Sequence, residues 1–153
     1  MKFEKFIKKA VPYVSTVMYR EEAWCKCGKV YARIPEHLGH IGLVDKSDKI
    51  LALSIDGEYG PEAELVKAYL DTPDGKSKDI IRVFSDGQFH FDVKNELFGL
   101  IERYDQLFIS EVNSDDGYSG LALLVGKPVP NPDDFEPDFI ITDITENGED
   151  EED

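Results

Sequence analysis

Cys25, Cys27, His37 and His40 are the residues whose types and spacing come closest to a recognisable chemistry. The pattern is C-x-C, nine intervening residues, then H-x-x-H. Two thiolates and two imidazoles make a complete tetrahedral ligand set for zinc. Residues i and i+2 of a strand point to one face, so both sulfurs could reach a single ion. Short zinc motifs more often place C-x-x-C on a turn, where the loop lets the sulfurs converge. The competing reading is a pair of half-buried thiols on a hairpin, with two surface histidines beside a glycine turn. A disulfide between Cys25 and Cys27 is not expected, because strand neighbours at this spacing face one way but sit badly for the bond geometry. Two free cysteines suit a reducing compartment.

Catalytic chemistry finds less support. The chain has no G-x-S-x-G elbow, no phosphate-binding loop ending in Gly-Lys-Ser/Thr and no G-x-G-x-x-G. GEYG at 57–60 lacks a lysine and reads as a turn. His90 alternates with Phe89 and Phe91, which places it on the exposed side of a strand. With 32 Asp and Glu in 153 residues, pairs such as Asp115–Asp116 or Asp133–Asp134 carry no specific signal. A calcium loop with Gly117 at position six would begin at Val112 and end at Leu123, neither of which is a ligand. A site needs a nucleophile or base with partners, and none is suggested, so the expectation is a non-enzymatic protein without an obligatory cofactor.

Interaction is the better expectation. Trp24, Tyr31 and Tyr118 are aromatic residues of the kind that anchor interfaces, with core packing as the alternative for each. The net charge of −15 is unevenly spread: residues 133–153 hold eleven acidic side chains and no Lys or Arg. The preceding 132 residues hold 21 acidic and 17 basic side chains, or −4. The fold is therefore nearly balanced, which argues against a DNA mimic with carboxylates spread over a rigid surface. Asp133, Asp134 and Glu136 open the acidic stretch and are candidate contacts for a basic partner. Lys2, Lys5, Lys8 and Lys9, spaced around an N-terminal helix, are the candidates for a phosphate backbone.

These residues must be positioned by short elements. Phe3 to Tyr13 reads as a helix with Phe3, Phe6, Ile7 and Ala10 on its apolar stripe. A meander follows: Val14–Tyr19, Ala23–Cys27 and Lys29–Ile34, then Ile41–Val44 and Ile50–Ile55. Trp24 and Cys25 face opposite ways, so one of them is expected in the core. Pro61 at a first helical position, with Glu62 and Glu64 behind it, predicts a helix over Glu62–Leu70 with Leu65, Val66 and Tyr69 on its apolar side.

Ile80 to Val125 reads strand, turn, strand, helix, strand, turn, strand. Its centre, Phe91 to Asp105, carries Leu97, Leu100, Ile101 and Tyr104 at helical spacing, with Asn95 as the N-cap. Asp-Gly at 56–57, 74–75, 86–87 and 116–117 marks tight turns. Residues 126–137 form a proline-rich extended connection, Asp138–Ile144 a last strand, and residues 146–153 a disordered acidic tail. The expectation is one α+β domain over residues 1–145, mostly antiparallel sheet with two to three short helices.

No run of about 18 apolar residues exists, so no membrane helix is expected. MKFEKFIKKAVPY lacks the apolar core and small-residue cleavage site of a secretory signal, and a cytoplasmic location follows.

The order FHFDV, NELFGLIERYD, QLFISEVN, SDDG, YSGLALLVG, DFIITDI resembles one domain of a DNA sliding clamp. That resemblance covers about residues 1–145 and implies a ring-forming or ring-interfering protein of DNA replication. Clamps carry two or three such domains per chain, and their DNA-facing helices are basic; the helix with the four lysines fits that role better than Asn95–Asp105.

Three functional expectations result. The first is an accessory or inhibitor protein that binds another protein, with a basic one that handles nucleic acid as the expected class of partner. The alternatives are a clamp-like replication factor that self-associates around DNA, and a small zinc-stabilised binding domain. Direct DNA contact belongs only to the clamp-like alternative.

Overall fold

The computed structural model describes residues 2–10, 15–19, 22–35, 45–50, 53–55, 61–72, 75, 79–114 and 119–143. The expected strand Ile41–Val44 and the acidic tail 146–153 lie outside them. Mostly antiparallel sheet with short helices is what the chain forms.

Eight strands make the larger sheet. They are β1 (Ser15–Tyr19), β2 (Glu22–Cys27), β3 (Val30–Arg33), β4 (Asp45–Ile50), β5 (Leu53–Ile55), β9 (Gln106–Ser114), β10 (Ser119–Gly126) and β11 (Phe139–Thr142). Their spatial order is β4-β1-β2-β3-β11-β10-β9-β5, with only the β1–β4 pair parallel. The two edge strands are separated by three peptide steps, from Ile50 to Leu53, which span no more than about 11 Å. The sheet must therefore curl until its two edges approach each other.

A smaller antiparallel sheet contains β6 (Glu64–Asp71), β7 (Asp79–Ser85) and β8 (His90–Lys94), in that order. The β7–β8 turn is built by Asp86, whose carboxylate accepts from the amides of Gln88 and Phe89. Gly87 supplies the left-handed residue at φ 95°.

Strands β2, β3, β9, β10 and β11 are apolar on both faces, which explains the unbroken runs LALLV and FII. One face carries Cys25, Ala32, Ile109, Leu123, Val125, Phe139 and Ile141. Against it pack Phe3 and Phe6 of helix α1 (Phe3–Ala10), Phe84, Phe91 and Val93 of the smaller sheet, and Leu100. The Phe6 ring meets Phe139 edge-on, with centroids 6.1 Å apart. On the other face Trp24, Tyr31, Phe108, Val112, Ala122, Leu124 and Ile140 form a second core, to which the proline-rich connection adds Phe135 and Val129. Trp24 and Cys25 do face opposite ways, but both are buried because both faces are covered.

That connection is held down at several points. Gln106 accepts from the Val129 amide and donates to Glu62. Pro132–Asp134 form one 3-10 turn, started by the Asn131 side chain accepting from the Asp133 amide. Gly126 lets the returning chain pass, since a Cβ there would lie 2.6 Å from the Glu136 carbonyl oxygen. The acidic stretch that opens at Asp133 is thus partly structural, because Asp133, Asp134, Glu136, Asp138 and Asp143 lie within the described fold.

Two expected helices are corrected. Glu62–Leu70 is not a helix: residues 64–71 are strand β6, paired along its length with β7. Helical spacing of Leu65, Val66 and Tyr69 has no value without a core to receive that stripe, and all three are exposed. The β7 strand offers backbone pairing instead, so tertiary context overrides local propensity.

Phe91–Asp105 is likewise mostly not helical. His90–Lys94 is a strand with alternating burial, and α2 spans only Asn95–Phe98. Lys94 takes the N-cap position, while Asn95 is the first helical residue and its side chain accepts from Arg82. After Gly99 the amides of Leu100 and Ile101 bond three residues back, and Asp105 accepts the Glu102 amide, so the chain turns. Leu100 enters the core and its carbonyl accepts the Lys2 amide, whereas Tyr104 is exposed. The expected strand Ile50–Ile55 is divided between the ends of β4 and β5.

Candidate interaction surface

Among the described residues strand β6 has a neighbour on one side only, β7, and no described strand pairs with its other backbone edge. Side chains alternate along it. Lys67, Tyr69 and Asp71 share one face; Ala68 and Leu70 share the other, opposite Arg82 and Ile80 of β7. Arg82 bends toward the body of the protein, stacking 4.0 Å from the centre of the Phe98 ring. Ile80 and Leu70 extend past that contact, at 37% and 56% exposure. Leu65, Val66 and Tyr69 add 49%, 55% and 45%. Isolated exposed apolar residues are ordinary; Leu65, Leu70 and Ile80 on one face of this strand and its neighbour are a patch, with Tyr69 exposed on the other face.

The opposite face of this sheet is polar around an apolar centre. Lys67, Tyr69, Val83, His90 and Asp92 line a shallow depression there. The Tyr69 hydroxyl donates to Asp92 at 3.2 Å. Local desolvation first, then Asp92 and Asp71, push the Tyr69 phenol above its usual range, so it stays neutral and a donor. His90 is exposed on this strand, as its alternation with Phe89 and Phe91 predicts.

The residues singled out by type and spacing are dispersed. Cys25 and Cys27 share a face of β2, as the i, i+2 spacing requires, and both thiols are free. Cys25 is fully buried, and burial pushes its thiol up to about 12, so at neutral pH it is a packed thiol and not a thiolate. Cys27 is partly buried and helps line a cavity of about 280 Å³ with Phe6, Val30, Leu97 and Leu100, rimmed by Lys94 and Glu96. His37, His40 and Tyr118 lie outside the described residues. Among the described residues no group of three or more His, Cys, Asp or Glu is placed to hold a metal ion.

Trp24 and Tyr31 sit in the second core at 1% and 6% exposure, which is the packing alternative stated for them. Asp133, Asp134 and Glu136 are exposed on the connection. Lys5 and Lys8 are exposed on α1, Lys2 is exposed immediately before it, and Lys9 belongs to the helix. None of these groups converges with another on one site. The exposed strand is the feature that residue-by-residue reading missed. Its signal was present: LVKAYL and IIRVF flank Asp74-Gly75, the alternation of a hairpin.

One partly buried acid stands apart. An oxygen of the Asp138 carboxylate is buried with no hydrogen-bond partner among the described residues. Burial raises its pKa, nearby Asp105 adds to the rise, and Arg33 and Lys127 oppose it. A raised folded-state pKa means that the folded chain holds a proton where the unfolded chain has released it. Stability from this group therefore falls as pH rises from the ordinary aspartate range through the raised value. Asp138→Asn keeps the backbone bonds to Arg33 and Val125. Its melting temperature should exceed that of the native protein by a margin that grows as pH rises above the ordinary aspartate range, about 4. A margin independent of pH in paired thermal melts would count against the argument.

Comparison with protein-family models, with curated proteins and with solved structures finds no match for this chain. No helix among the described residues is long and apolar enough to cross a membrane.

Proposed function

We propose that this is a non-enzymatic protein that acts by binding another protein, and that the edge of β6 away from β7 is where the partner docks. The observation that carries this reading is the exposure of Leu65, Val66, Tyr69 and Leu70 along an edge that no described strand pairs, with exposed Ile80 of β7 beside them. Folded proteins blunt such edges because unpaired backbone N–H and C=O groups recruit any extended segment. Here the blunting is slight: one register slip between Leu65 and Lys67, one lysine and no proline within the strand. A partner strand added to β6 would gain backbone hydrogen bonds along its length and cover Leu70.

The acidic residues have a separate part. Asp133, Asp134 and Glu136 raise the encounter rate with a basic partner through long-range attraction, which salt screens. Affinity comes from the strand edge, and rate from the charge. Leu70→Asp places a charge in the apolar strip at a position already exposed, so the fold should survive. Immobilised native protein should then retain partners from a cell extract that the variant loses by about tenfold or more. Equal retention by both would remove β6 from the binding surface.

A further inference from the structure

The edge of β6 away from β7 is complementary to itself. The register slip between Leu65 and Lys67 interrupts regular pairing at one end, and the strand ends at Asp71. The regular edge is thus Lys67-Ala68-Tyr69-Leu70-Asp71. Laid antiparallel against a second copy with Tyr69 facing the partner's Tyr69, this segment sets Lys67 opposite the partner's Asp71, and Asp71 opposite the partner's Lys67. Directly facing opposite charges stabilise a strand pair, and like charges destabilise it. On the reverse face Leu70 meets the partner's Ala68, extending the apolar strip that Ile80 begins.

Other registers are poorer. Centring the pair on Ala68 sets Lys67 opposite the partner's Tyr69, leaves Asp71 without a facing lysine and runs into the slip. An in-register parallel pair sets lysine against lysine and aspartate against aspartate. A second observation asks for a cation at the same place. Within the sheet Asp71 lies directly opposite Asp79 of β7, two like charges on one face. A lysine arriving on the side of Asp71 away from β7 would relieve that repulsion.

We propose that the protein forms a two-fold symmetric dimer by antiparallel pairing of β6 with its counterpart in a second copy, in the register that faces Lys67 with the partner's Asp71. The proposal rests on the reading of β6 as a strand-pairing edge and names one occupant for it. Two-fold pairing uses the same patch on both copies and closes at the dimer, so it builds neither rings nor filaments. One short strand pair is at the small end of specific interfaces, so association is concentration-dependent.

The test is sedimentation equilibrium of the full chain over a wide concentration range at low and high salt. Native protein should pass from monomer to dimer mass as concentration rises, the higher salt screening the mutual repulsion of two chains of net charge −15. Lys67→Glu and Asp71→Lys should each weaken the dimer by about tenfold or more. The double variant, which exchanges the two charges, should recover it. Circular dichroism of each variant checks that it is folded.

A monomer at every concentration, a ring mass, or a double variant no better than the singles overturns the proposal. If the chain stays monomeric while Leu70→Asp still loses captured protein, self-pairing is wrong and the partner-binding reading stands. If the exchange rescues the dimer while native and Leu70→Asp proteins retain extract proteins equally, the dimer stands and that reading falls.

Discussion

Phe135→Ala is expected to lower the unfolding free energy by about 3 kcal/mol, the lower end of the range for buried phenylalanine. The ring is 3% exposed and meets Phe108 in an edge-on contact, with centroids 4.7 Å apart. It is the largest side chain that the proline-rich connection contributes to the second core. The effect stays near the lower end because the connection lies at the surface and can settle partly into the space left behind. The settling is limited by Gly126, which already lies so close that a Cβ would be 3.0 Å from the Phe135 ring.

The measurement is urea unfolding followed by Trp24, the only tryptophan in the chain and a member of the same core. The midpoint should fall with little change in slope, since a folded connection still buries most of its surface. An unchanged midpoint would mean that the second core does not depend on the connection. The same substitution should loosen the segment bearing Asp133, Asp134 and Glu136, which flank the anchor residue in sequence.

How far the sequence discloses this arrangement varies with the element. The β2–β3 hairpin was legible because Gly28 supplies a left-handed residue, at φ 62°, between two β-prone runs. Leu121–Val125 and Phe139–Ile141 were legible as strands because continuous apolar runs of that length suit strands covered on both faces. What stayed hidden was the cover itself. Nothing local says that Phe135, in a run of prolines and acids, returns to lid one face, or that Phe84, Phe91 and Val93 cover the other.

The two helix errors share a cause. Leu65, Val66 and Tyr69, and again Leu97, Leu100, Ile101 and Tyr104, are at helical spacing, but that spacing gains stability only where a core receives the stripe. Leu100 finds one and Tyr104 does not, while Gly99 and the Asp105 carboxylate turn the chain in between. The candidate site was hidden for the same reason. An edge strand with apolar residues on both faces breaks the rule of an apolar-inward pattern, and such breaks are where binding surfaces arise.

Phe139→Ala should cost more, about 4–5 kcal/mol, because its surroundings cannot collapse. The residue is fully buried on β11, paired to Val125 of β10 on one side and Ala32 of β3 on the other. Backbone ladders fix both neighbours in place, so the lost ring leaves a cavity with rigid walls. Its other neighbour is the Phe6 ring, so the truncation also removes the edge-on contact that ties α1 to the larger sheet.

Two readouts separate this from the Phe135 substitution. Urea unfolding should show the larger fall in midpoint. Amide exchange in α1 should also accelerate beyond what the global destabilisation requires, because the helix loses a direct contact in addition to the stability of the sheet beneath it. In Phe135→Ala, where the cavity lies on the opposite face of the sheet, α1 should slow or quicken only with the whole molecule. Selective loss of α1 protection in both variants would mean that the two cores are not separated by the sheet. Loss in neither would mean that the Lys2 amide bond to Leu100 and the burial of Phe3, not the Phe6–Phe139 contact, hold the helix. The position of α1 matters beyond stability, because it is the element that presents Lys5 and Lys8 to solvent, with Lys2 immediately before it.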